Sequence, residues 1–145
     1  MRYILGILLL TVSVGTLSAQ EDRDKRRLQG LWKVTGFRVN GNDYPAVNQS
    51  YFLFKDRNYA FRKGDKQAGG KFSVRPDKTH KQIDLHILKS ANPKEVGHIL
   101  KGICRQKGDQ LELSLAMDGG KNRPQNFTGA VDDEVLVLLL QRQPE

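Results

Sequence analysis

Leu28-Gln29-Gly30-Leu31-Trp32-Lys33-Val34 is the stretch that decides how this chain reads. A short basic run, Lys25-Arg26-Arg27, leads into a glycine, one spacer and the only tryptophan in the sequence. From Leu31 to Val39 the residues follow a strand pattern, with Gly36 as a bend or bulge. The segment reads as the first strand of a small antiparallel barrel whose closed end Trp32 plugs. Just upstream, Glu21 to Gln29 is charged and helix-permissive. A helical turn or two there would cap one barrel end, with Leu28 facing in.

Downstream the strand signals recur at short spacing. Asn40-Gly41-Asn42-Asp43 has the residues that tolerate positive φ and so marks a turn; Tyr44 to Val47 reads as an irregular or edge segment. Ser50–Lys55 and Asn58–Arg62 form an aromatic hairpin about Asp56-Arg57. Gly64-Asp65 turns the chain into Ala68–Val74, a strand weakened by Gly69-Gly70 and ended by Arg75-Pro76-Asp77-Lys78. In Lys81–Leu88, Ile83, Leu85 and Ile87 share one face, and Asp84, His86 and Leu88 the other. Val96–Gln106 reads as a strand interrupted near Gly102, and Lys107-Gly108-Asp109 as a turn. Gln110–Ala116 turns Leu111, Leu113 and Leu115 inward and Glu112 and Ser114 outward. Asp118 to Pro124 is a glycine-rich loop, and Gln125–Thr128 a candidate short strand. Val135–Leu140 is apolar on both faces, so its outer face needs cover from the N-terminal helix or from a partner. The fold class is all-β: a single antiparallel barrel of about eight strands with a short N-terminal helical turn.

Composition bounds the function. The 145 residues are enough for one domain, and 38% hydrophobic with 28% charged content suits a globular chain. The formal charge of +8 favours anionic partners such as phosphate-rich polymers, lipid head groups or acidic polysaccharide, but the preferred reading of it is plain solubility at a surface of mixed charge. No basic helix or aromatic-basic ladder points to nucleic acid. Arg2, the apolar run Tyr3–Val14 and the small residues Gly15-Thr16-Leu17-Ser18-Ala19 describe a secretory signal peptide over 1–19. Cleavage is expected after Ala19, with Ser18 as the alternative point, and a retained N-terminal anchor is the rival reading. The barrel domain is then 20–145, carries no transmembrane segment and is periplasmic or extracellular. It keeps a formal +7, because Arg2 is the only charge in 1–19. Cys104 is the only cysteine, so no internal disulfide can form and packing alone holds the fold. Cys104 reads as a buried inert thiol, against a reactive or intermolecular one.

No nucleophile elbow, phosphate-cradling loop or zinc-protease helix is present, so the expectation is no enzyme, no cofactor and no metal. His80, His86 and His98 are scattered. Asp84 and His86 share a strand face and could position a base, but two residues on one strand make no site without a third group. Arg123, in the loop expected at the barrel mouth, could receive a carboxylate or phosphate; structurally it could instead pair with Asp118 or Glu112. Tyr51, Phe52, Phe54, Tyr59 and Phe61 either line an apolar cavity or fill the core themselves. The candidate ligand site is therefore Tyr51, Phe54, Tyr59, Phe61 and Arg123.

Gly30-Leu31-Trp32 resembles the Gly-x-Trp signature of lipocalins. That resemblance implies a tryptophan packed at the closed end with an arginine of the last strand across its ring, here Arg142. Gly30, Trp32 and Arg142 are then structural. Over nearly the whole of 20–145 the chain also resembles a family of small exported proteins abundant in planctomycete bacteria, of unassigned function. The carriers are Leu28, Gln29, Gly30 and Trp32; Gly41; Ile83, Asp84 and Leu85; Gly102 and Ile103; Gly108, Asp109, Leu111 and Leu113; Arg123, Pro124 and Phe127; and Arg142. Cys104 departs from the pattern, where an aromatic residue would be expected. The resemblance implies a lipocalin-like (calycin-type) barrel and an export route, and supplies no activity. The functional expectation is a non-enzymatic exported barrel holding a small apolar or amphipathic ligand. Its rival is an interaction module docking on an anionic envelope polymer or another protein.

Overall fold

The computed structural model describes residues 15–76, 79–117 and 122–144. The apolar run expected to begin a signal peptide lies outside the described residues. Helix α1 spans Gly15–Leu28, longer than the turn or two expected, and passes through Ala19. Nine strands follow: β1 (Gly30–Val39), β2 (Asn42–Pro45), β3 (Ser50–Lys55), β4 (Asn58–Lys63), β5 (Lys66–Arg75), β6 (Lys81–Ser90), β7 (Ile99–Lys107), β8 (Gln110–Ala116) and β9 (Val135–Arg142). Gln125–Thr128, expected as a short strand, is not one. β7 starts at Ile99, after a short 3-10 turn at Pro93–Glu95, and runs unbroken through Gly102.

Each strand from β3 to β9 pairs antiparallel with the next, and β1 closes the ring by pairing with both β3 and β9. Eight strands thus form an up-and-down barrel, and closure removes the sheet edges that would otherwise invite aggregation. β2 is the extra strand. β3 holds β1 only over Gly30–Lys33, and β2 folds back onto the same edge over Gly36–Val39. The register of β1 against β9 slips between Val34 and Gly36, which is the bulge expected at Gly36. Gly70, at the β5–β6 bulge, lies so close to β6 that a Cβ there would sit 1.8 Å from the His86 carbonyl oxygen.

Strand alternation fills the interior. Phe52 and Phe54 of β3, Tyr59 of β4, Phe72 and Val74 of β5, and Ile83 and Leu85 of β6 are buried together with Leu111, Leu113, Leu115 and Leu140. Phe54 meets Phe72 edge-on at 4.9 Å, and Phe52 and Phe54 stack at 5.8 Å.

At the closed end, Trp32 is fully buried. Its indole Nε1 donates to the Leu28 carbonyl at 2.8 Å, which ties the last residue of α1 to the first strand. The Arg142 guanidinium lies 4.3 Å over the indole. It also donates to the carbonyls of Gln29 and Arg27, and to Asp109 at 3.2 Å. The basic last turn of α1 is therefore fastened by its carbonyls, the acceptors that a helix C-terminus leaves unsatisfied. Asp24 of α1 is buried and pairs with Lys81 of β6 at 2.7 Å.

Cys104 lies beneath this pair. Burial pushes its thiol from 9.0 up to about 12, and Asp24 adds to the shift while Lys81 opposes it. The thiolate is favoured in the unfolded chain, so the stabilisation is whole below about pH 9 and drains as pH climbs towards 12. The native protein should therefore resist a disulfide-exchange reagent at pH 8 until denaturant is added. Cys104→Ala should flatten the loss of stability above pH 9. Immediate stoichiometric labelling of native protein would contradict this placement.

The outer face of β9 finds its cover within the chain. Residues 122–134 run as a strap across the outside of β6–β9 to β1. Arg123 begins it, at 2.8 Å from Asp84 of β6 and donating to the carbonyls of Ile83 at 3.2 Å and Gly102 at 2.8 Å. Ser114, outward as expected but fully buried, donates to the Asn126 carbonyl at 3.0 Å. Phe127 packs against Ile103 and Val137, with Val135 and Leu139 beside them. Arg105 stacks on its ring at 4.2 Å and His80 meets it edge-on at 5.0 Å. Gly129 has φ +68° and leaves no room for a Cβ, which would fall 2.1 Å from the Arg38 carbonyl oxygen. This strap supplies the cover that was expected from the N-terminal helix or from a partner.

Candidate functional site

The strand directions give the barrel two unlike ends. α1 and Trp32 stop one. At the other, the ends of β1, β4, β6 and β8 meet the starts of β3, β5, β7 and β9. An open cavity of about 420 Å³ lies there, within the ordinary range of small-molecule pockets. Val34, Phe61 and Leu138, each packed against the main core, form its floor. Phe37 and Leu136 add apolar walls, as do Ala46 and Val47 in the segment from β2 to β3. Phe37 stacks on Tyr44 at 5.5 Å, which holds the β1–β2 hairpin as one side of the rim.

The lip is polar. Ser50 opposes Lys63 across β3 and β4, on the inward register shared with Phe52 and Phe61. Both line the cavity with Asn48. Lys63 has no ion-pair partner among the described residues. The arrangement is an apolar cup with a lysine at its edge that forms no ion pair among the described residues, which suits an apolar tail carrying a negative head group.

The sequence-predicted residues divide among several places. Phe61 reaches the cavity. Phe54 and Tyr59 are buried in the closed part of the barrel and fill it themselves. Burial, together with Glu95, raises the Tyr59 hydroxyl to about 12, so it is a neutral phenol at ordinary pH. Tyr51 lies on the outer face, on the register of Leu53 and opposite Arg62. Arg123 belongs to the strap. Its partner is Asp84, while Glu112 pairs with Arg38 and Arg105; Asp118 lies outside the described residues. Asp84 is held between Arg123 and Arg75, the latter at 3.4 Å, so it is part of a structural ion pair and orients no base at His86. Sequence reasoning missed Phe37, Ala46, Val47, Lys63, Leu136 and Leu138. A signal for Lys63 did exist: counting by two from Tyr59 and Phe61 lands on it, a lysine at an inward position.

A wider cleft of about 810 Å³ lies along the strap. Its walls are mostly short polar and acidic side chains. Among the described residues its only cation, Arg123, is already paired with Asp84. No cluster of His, Cys, Asp or Glu among the described residues could hold a metal ion, and no described helix is long and apolar enough to cross a membrane. Fold and cavity together define a closed up-and-down β-barrel with one stoppered end and one open mouth. Comparison with family models, curated proteins and solved structures gives no match to this chain.

Proposed function

We propose that this protein is an exported, non-enzymatic barrel that holds a small amphipathic anion, an acyl chain with a carboxylate head, in its mouth. The observation that carries the reading is Lys63, on the inward register at the polar lip of an apolar cup and in no ion pair among the described residues. Export is supported by Arg2, the apolar run Tyr3–Val14 and the small residues ending at Ala19.

Magnitudes assign the roles. Each buried methylene contributes about 0.8 kcal/mol, whereas an exposed ion pair contributes up to about 1 kcal/mol. The chain therefore supplies the affinity, and Lys63 selects the sign and orientation of the head group. Phe52, Phe54 and Tyr59 set the depth by filling the barrel below, so a single short chain fits better than a large ring system.

Laurate should displace a fluorescent fatty-acid probe from the protein. Lys63→Glu should weaken laurate by about tenfold and favour a cationic amphiphile of the same chain length. Failure of every apolar probe to bind, or equal laurate binding by Lys63→Glu, would overturn the reading.

A further inference from the structure

The outer faces of β1, β3, β4 and β5 differ from those of β7 and β9 in cover, and they form a run of four adjacent strands without an acid. Strands β1, β3, β4 and β5 contain no acidic residue. Arg75, Lys81, Arg105, Arg123 and Arg142 are all paired with carboxylates, as is Arg38 at the mouth end of β1. Lys33, Lys55, Arg62 and Lys71 are in no ion pair among the described residues. Asp56 and Asp65 stand only at the turns bounding β4. Lys89, Lys101 and Lys107 on β6 and β7 are likewise in no ion pair among the described residues, so the mark of this side is four such cations on adjacent strands that carry no acid.

Inside this ring of cations lies an apolar centre. Leu31 and Leu53 are direct cross-strand neighbours and each is 40% exposed. Ala60 extends the pair on β4, and Tyr51 lies two residues from Leu53 on the same face. These side chains and Arg62 line a shallow open groove of about 350 Å³. The contrast with the opposite side is informative. There the outward Ile103 and Val137 are roofed by Phe127 of the strap. The strap does not reach Leu31 and Leu53, which stay uncovered.

We propose that this face docks on an anionic lipid surface. A few apolar side chains entering the head-group layer, encircled by Lys and Arg, is the arrangement that binds such surfaces. An amphipathic tyrosine such as Tyr51 suits the same boundary. An acidic polysaccharide would meet the cations but gain nothing from the leucines. A second copy packed face to face would bring Lys33, Lys55, Arg62 and Lys71 against the same four charges, which repel. The inference is independent of what the mouth holds.

The test is vesicle co-sedimentation of the protein recovered after export. It should bind vesicles containing phosphatidylglycerol, release as salt rises, and leave pure phosphatidylcholine vesicles unbound. The double variant Lys55→Gln with Arg62→Gln should bind about thirtyfold more weakly. Leu31→Ser with Leu53→Ser should lose binding severalfold while melting as the parent does. Lys94→Gln with Lys107→Gln, away from the patch, should bind as the parent does. Equal binding to neutral vesicles, or equal losses in the control variant, would overturn the proposal. So would capture of dextran sulfate, unaffected by the leucine changes, with no binding to vesicles.

Discussion

Trp32→Ala is expected to destabilise the barrel by about 3–5 kcal/mol, the cost of emptying a large buried aromatic site. That is a large share of the roughly 5–15 kcal/mol that holds a typical domain folded, and no disulfide is available as a staple. The loss extends past the cavity. The Leu28 carbonyl loses the indole N–H that reaches it at 2.8 Å, and Arg142 loses the ring beneath its guanidinium. The end of α1 and the end of β9 are then no longer fastened through one side chain. Trp32→Phe keeps most of the volume and removes the N–H, so it should cost less than half as much. Denaturant unfolding of the parent and both variants checks the ordering. A Trp32→Ala protein melting within a few degrees of the parent would contradict the placement of this residue.

Phe127→Ala should cost about 3–5 kcal/mol at its own site, but with a different outcome. Phe127 is buried outside the barrel wall, between Ile103 and Val137 and under Arg105. Removing it loosens the strap without opening the interior that Trp32 and Phe54 fill. The strap would remain tethered by Arg123 to Asp84 and by the backbone N–H groups of Asn40 and Gly41, which donate to the carbonyls of Gly129 and Thr128. Residues 122–134 should therefore become protease-sensitive, and a dye for exposed apolar surface should bind over Ile103, Val137 and Leu139. Tryptophan fluorescence should stay native. Unchanged protease resistance of 122–134 would show that Phe127 does not hold the strap.

Much of the barrel was legible because period-two alternation is a local signal. Ile83, Leu85 and Ile87, and likewise Leu111 and Leu113, announce their buried face without help from the rest of the chain. The extra strand β2 was visible only as an edge segment, since Tyr44-Pro45 lacks that alternation. The strap was not legible at all. It has no periodicity, and its anchors are far apart in sequence: Arg123 finds Asp84 and Arg38 finds the Phe127 carbonyl. The candidate site was half legible for a related reason. Tyr51-Phe52-Leu53-Phe54 is apolar at four successive positions, so composition alone does not say which parity faces in. The register resolves it, pairing Phe52 with Phe61 inside and leaving Tyr51 with Leu53 outside. Phe54 and Tyr59 have the right chemistry for a ligand wall but lie too deep, where the barrel is filled by its own aromatics.

The most direct measurement is a laurate titration followed by backbone amide chemical shifts. The expected result is saturable shifts at Phe37, Val47, Phe61, Lys63 and Leu138, with Phe54 and Tyr59 little changed. Shifts confined to Leu31 and Leu53 or to the strap, or none at saturating laurate, would contradict a ligand site in the mouth.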